Sequence, residues 1–174
     1  MGVGYLAGQG GSGSNIKSIQ RGNGNIWLPN LSTTINISSV DLTKSVVLVN
    51  STSSILFPAG NLLKASFVSA TQIKLELPAT ATETADVTFS WQVIEFNNVK
   101  TLQSGTSVIG SSQTQTISQV DTTKSVVFFS YNMPYQTAAS IPIVGYLSNA
   151  TTLQFTNHRA YVSCSVYWFV VEFK

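Results

Sequence analysis

An all-β fold, made of two tandem copies of one module roughly 80 residues long, is what this 174-residue chain predicts. Three observations carry it. Four segments recur in the same order in both halves, apolar residues alternate at the period of a strand, and no segment carries the apolar stripe and caps of a helix.

The repeat is explicit in the residues. Ile16-Lys-Ser-Ile-Gln20 answers to Val99-Lys-Thr-Leu-Gln103, and Val40-Asp-Leu-Thr-Lys-Ser-Val-Val47 to Val120-Asp-Thr-Thr-Lys-Ser-Val-Val127. Ala70-Thr-Gln-Ile-Lys-Leu75 answers to Ala150-Thr-Thr-Leu-Gln-Phe155, and Trp91-Gln-Val-Ile-Glu-Phe96 to Trp168-Phe-Val-Val-Glu-Phe173. Chance gives one such match but hardly four in register. The spacing drifts only by short insertions, and the boundary falls near Asn97 and Asn98. The domains expected are a Gly-rich arm over 1–15, a first β module over 16–97 and a second over 98–174.

Within the first copy, Val87, Phe89, Trp91 and Val93 alternate with Thr88, Ser90 and Gln92, as in a half-buried strand. Val162, Cys164, Val166, Trp168 and Val170 make the same stripe in the second. There the opposite face is apolar too, with Tyr167, Phe169, Val171 and Phe173, so this strand lies inside a sandwich or against another chain. Ser45 to Asn50 and Ser125 to Ser130 are apolar runs of strand length; Ile73 to Leu77 and Leu153 to Phe155 are shorter candidates. Short strands separated by turn signals predict β-sandwich or jelly-roll-like modules. Met1 to Ser14 is different: dominated by Gly, with Val3, Tyr5 and Leu6 as its sizeable apolar side chains, it is expected to be a flexible arm unless something holds it.

Hydrophobic residues make up 43 % of the chain, which suits a packed core, but charged residues only 9 %, against about 25 % in a typical soluble domain. Such a surface is poorly protected against association. It suits either a very stable secreted protein or one lying against partners, and Met1 to Asn15 lacks the basic and apolar regions of a signal peptide. A net charge of +2, with Lys and Arg dispersed, is too small for a nucleic-acid footprint. No stretch approaches the ~20 apolar residues of a membrane-spanning helix. The single cysteine, Cys164, has no disulfide partner in the chain and is expected to be a buried inert thiol. Four Asn-x-Ser/Thr triplets, at Asn30, Asn36, Asn50 and Asn149, are expected by chance in a chain so rich in these residues.

No catalytic, cofactor-binding or metal-binding residue emerges. Asp41 with Lys44 and Asp121 with Lys124 suit a turn, the Asp bonding its own backbone and the Lys guarding a strand entry, better than a ligand contact. Glu95 and Glu172 are equivalent positions in separate modules, so a local partner such as Lys17 or Lys100 fits better than a glycosidase pair. His158 lacks the nucleophile elbow of a triad, and with Cys164 it supplies too few ligands for zinc. The glycines of Gly2 to Gly13 have no strand before them and no helix after, so no phosphate loop is present. Trp91 and Trp168 belong to the core stripe. Trp27, in Asn25-Ile-Trp-Leu-Pro29, is free to be an interface anchor.

The opening segment Ile16-Lys-Ser-Ile-Gln-Arg-Gly22, the Val-Asp-x-x-Lys-Ser-Val-Val strand, Ala-Thr-Gln and the closing Trp-Gln-Val-Ile-Glu-Phe96 together resemble β modules in structural proteins of tailed bacteriophages. The resemblance covers nearly everything after the arm. The second copy departs from it at the opening, with Ser104 in the place of Arg21. It implies a tail, fibre or head-decoration protein located in the virion, often trimeric, with no catalytic residues to carry over. Expected partners are the chain itself, as a homotrimer, and other virion proteins held by the arm; nucleic acid and membrane insertion are not expected. The expected interface residues are Val3, Tyr5 and Leu6 of the arm, Trp27, and Phe169, Val171 and Phe173 of the last strand. The alternative is a lectin-like receptor-binding module taking a host-surface glycan on Tyr131, Tyr135, Tyr146 and Trp27. A hydrolase ranks third, since no acid/base pair can be placed.

Overall fold

The computed structural model describes residues 14–27, 29–53, 62–78, 87–133, 143–157 and 163–174, together with the backbone of 4–6. The described residues form strands and turns, with no helix. After the short strand β1 (Gly4–Leu6), the first module comprises β2 (Ile16–Ile26), β3 (Ser32–Asn36), β4 (Ser45–Ser53), β5 (Lys64–Ser69), β6 (Gln72–Glu76) and β7 (Val87–Phe96). The second comprises β8 (Val99–Ile109), β9 (Ser112–Thr116), β10 (Ser125–Asn132), β11 (Ile143–Asn149), β12 (Thr152–Asn157) and β13 (Cys164–Phe173).

The two halves share one topology. In the first, β2-β7-β4 and β3-β6-β5 are the two sheets; in the second, β8-β13-β10 and β9-β12-β11 take the same places. Every pairing is antiparallel. The central strands are the tryptophan strands, as the alternation predicts: Val87, Phe89, Trp91 and Val93 are buried, and so are Cys164, Val166, Trp168 and Val170. They face Ile73 and Leu75 in the first sandwich and Leu153 and Phe155 in the second. Val162 lies outside the described residues.

Details of the ladder repeat as well. Lys17 is the extra residue of a bulge between Ile16 and Ser18, and Lys100 occupies the same bulge between Val99 and Thr101. A bulge re-aims the side chain it carries. Here it sends each amine to a buried glutamate, Lys17 to Glu95 and Lys100 to Glu172, both at 2.8 Å. Gln20 receives the Ser38 amide at 2.7 Å and donates to the Ser38 carbonyl at 2.9 Å; Gln103 does the same for Ser118 at 2.6 and 3.0 Å. Each glutamine thus satisfies the backbone of the loop that carries the chain from one sheet to the other.

The modules are not separate bodies. Phe169 and Val171, on the outer face of β13, are buried in the apolar cluster of the first module, with Phe128, Tyr167 and Phe173 packed partly around it. Phe169 meets Phe67 edge-on at 6.1 Å between centroids, and Phe173 meets Phe96 at 5.3 Å. Polar bonds seal the seam. The Ala65 amide donates to Ser130 Oγ at 2.9 Å, Lys64 Nζ to Ser165 Oγ at 3.1 Å, and Asn132 Nδ2 to the Glu76 carbonyl at 3.1 Å.

Candidate interaction edge

The Gly-rich arm contributes its backbone to a sheet. Gly4, Tyr5 and Leu6 lie antiparallel to Arg21, Gln20 and Ile19, so that β1 is an added strand on the outer edge of β2. Glycine suits such a strand because it lets another backbone come close, at a high cost in chain entropy. The arm is expected to be flexible unless something holds it; the edge that holds it here is that of its own module. Val3 and the side chains of Tyr5 and Leu6 lie outside the described residues.

β8, the counterpart of β2, pairs with β13 on one side only, and among the described residues no strand lies on its other edge. From Thr101 to Ile109 it carries neither charge nor proline, the devices by which edge strands usually deter pairing. Its exposed Val108 is 65 % accessible. The two glutamines differ accordingly: Gln20, opposite Tyr5, is only 4 % exposed, whereas Gln103, paired with Val170 on one side and with no described strand on the other, is half-buried. By contrast, the edge of β5 is blocked from inside the chain, the Ser130 hydroxyl both accepting from the Ala65 amide and donating to its carbonyl at 3.3 Å.

The structure corrects one expectation outright. Phe169, Val171 and Phe173 were expected to face another subunit; Phe169 and Val171 are buried within the chain and Phe173 is half-buried against Phe96. The first module covers them: Phe169 and Val171 lie in its apolar cluster and Phe173 packs against it. Their warrant for a trimer therefore falls away. Trp27 does remain on the surface, 58 % exposed, where its carbonyl accepts the Asn30 amide at 3.0 Å. Tyr146, on β11, is 48 % exposed, while Tyr131 is half-buried beside Phe129. Tyr135 lies outside the described residues. Trp27 and Tyr146 sit on different modules.

Asp41, Glu95, Asp121 and Glu172 have structural partners. Asp41 and Asp121 cap their turns, accepting from the amide and hydroxyl of Thr43 and of Thr123 at 2.6–2.9 Å. Those bonds hold both carboxyls below the usual aspartate range. The hydrogen bond from Lys100 holds Glu172 low and, reciprocally, lifts Lys100. Burial pushes the Cys164 thiol up to about 11, the behaviour of an inert core thiol. Among the described residues no group of three or more His, Cys, Asp and Glu side chains could hold a metal ion. His158 lies outside them. Nor does any described helix have the length and apolarity to cross a membrane.

Sequence reasoning overlooked the glycines opposite the tryptophans. Gly22 pairs with Trp91 and Gly105 with Trp168. The signal was present: both follow the matched glutamine by two residues. No protein-family model, curated protein or solved structure matches the chain.

Proposed function

We propose that the chain is a non-enzymatic structural component of a bacteriophage virion, a tail, fibre or capsid-decoration protein that acts through subunit contacts. The observation that carries this reading is the placement of Gly4–Leu6 as an added strand on a sheet edge. An arm built to pair by backbone alone is an attachment element: it needs an exposed edge and little else, and a neighbouring subunit can offer one. The resemblance of both modules to phage β modules supplies the setting. The scarcity of charge, 9 % of residues, suits a surface that lies against partners.

The test is deletion of residues 2–14 in a particle otherwise lacking this protein. The β modules are expected to keep their far-ultraviolet circular dichroism, while incorporation into particles is lost. Incorporation of the truncated protein at full occupancy would overturn the arm's role and make Trp27, with the segment from Ile26 to Pro29, the next anchor to test.

A further inference from the structure

We infer that the outer edge of β8 is a second acceptor for the arm, and that its occupant is the Gly4–Leu6 strand of another copy of this chain. This rests on the reading of the arm as the attachment element and names its partner. The register follows from the repeat. On β2 the arm sets Gly4, Tyr5 and Leu6 against Arg21, Gln20 and Ile19; on β8 it sets them against Ser104, Gln103 and Leu102.

Four features make β8 the same acceptor as β2. Each is an 11-residue strand beside a tryptophan strand. Each carries the bulged lysine bound to a buried glutamate, the glutamine that holds the next loop, and the glycine beneath the indole. The backbone offered to a third strand is therefore the same in both. What differs is occupancy: β2 has the arm beside it and β8 has no described strand. Each chain has one such arm, so β8 is filled when the arm of a second copy leaves its own β2. Of the three positions in register with the arm, Gln103 repeats Gln20, Leu102 stands for Ile19, and Ser104 stands for Arg21; Ser104 is smaller and uncharged and does not oppose an incoming strand.

Donor and acceptor are different surfaces, so the contact is heterologous. Two copies that exchange arms reciprocally close a dimer, and one-way donation yields a ring or a filament. Arms that leave β2 for a neighbour's β8 exchange one set of backbone bonds for an equivalent set, so concentration decides between the two.

The test is a disulfide between chains. Full-length Tyr5→Cys and Gln103→Cys proteins are mixed and oxidised, with the buried Cys164 left in place. The expected product is a covalent dimer whose linked peptides contain positions 5 and 103, with a yield that rises with protein concentration. Because Gln103 also holds Ser118, Gly4→Cys with Ser104→Cys is the second pair and is expected to behave alike. A 5–103 and 4–104 yield no greater than that of the same-site 5–5 and 103–103 links overturns the proposal. If these links are absent while the 2–14 deletion still abolishes incorporation into particles, the self-exchange fails and the virion reading stands. If they form while the deletion incorporates normally, the exchange is established and the virion role of the arm fails.

Discussion

Gly105 lies directly opposite Trp168 across the β8–β13 ladder, and a Cβ placed on it would stand 2.7 Å from Cζ2 of the indole. Gly22 stands in the same relation to Trp91, at 2.9 Å. Each indole occupies the space that a side chain on the neighbouring strand would fill. Trp168 is further fixed by its Nε1–H bond to Ser107 Oγ at 3.0 Å, so it has little room to retreat. Gly105→Ala is therefore expected to destabilise the protein by about 1–3 kcal/mol, the usual cost of overpacking. Urea denaturation checks it. An unchanged midpoint would mean that the indole moves aside freely.

Within the other sheet of each module the repeat shows a compensated pair. Ala65 faces Leu75 in β5 and β6; Gly145 faces Phe155 in β11 and β12. The larger ring takes the place of the smaller neighbour's methyl, since a Cβ on Gly145 would stand 2.6 Å from Phe155 Cε1. Gly145→Ala alone is expected to cost about 1–3 kcal/mol. Combined with Phe155→Leu, it recreates the Ala65–Leu75 pair, and the double variant is expected to be more stable than the sum of the single changes by roughly 0.5–3 kcal/mol. A double-mutant cycle in urea measures the coupling; strict additivity would show that the two sites do not share the space.

How much of this was legible follows from which residues carry a pattern. The tryptophan strands announce themselves because both alternate over eight or so positions and sit at the centre of a sheet. The edge strands do not. β9 is Ser-Gln-Thr-Gln-Thr, with no apolar side chain, and β3 has only Ile35; such strands form because β12 and β6 offer them a ladder, a tertiary cause that propensity does not contain. The bonds that Lys17 and Lys100 donate to Glu95 and Glu172 were foreseeable from the repeat alone. The destination of Phe169 was not. An apolar second face announces burial without naming what buries it, and in the first module the same position is Gln92.

Glu172 and Lys100 give the stability a definite pH dependence. The carboxyl lies below its ordinary value of 4.5 because Lys100 hydrogen-bonds it. Its contribution is present above 4.5 and is lost as pH falls through the lower folded value. Lys100 lies above its ordinary 10.5 because of the same bond, so its contribution is complete below 10.5 and is lost as pH rises past the folded value. Lys100→Met is accordingly expected to lower the urea midpoint at neutral pH, with the deficit shrinking once Glu172 is protonated in acid. A deficit of equal size at both pH values would show that Lys100 acts through the packing of its methylenes rather than its charge.

The last prediction concerns the seam between the modules. Phe169 and Val171 belong to the second module by sequence and to the core of the first by contact. Burying such a side chain contributes about 1.5–3 kcal/mol, and truncating a buried Phe costs more, about 3–5 kcal/mol, because a cavity remains. Neither module keeps a complete core without the other: the first would lose its lid and the second would expose an apolar sheet face. The modules should therefore unfold together. Trp91 reports on the first and Trp168 on the second, so two variants, each keeping one of these as its only tryptophan, can follow the halves separately in urea. The two fluorescence transitions are expected to coincide. Phe169→Gln, which installs the residue found at the equivalent Gln92, is expected to lower both transitions by a comparable amount, although Phe169 lies on the same strand as Trp168 and far along the chain from Trp91. If the Trp91 transition stays in place while the Trp168 transition moves, the first module stands without its lid.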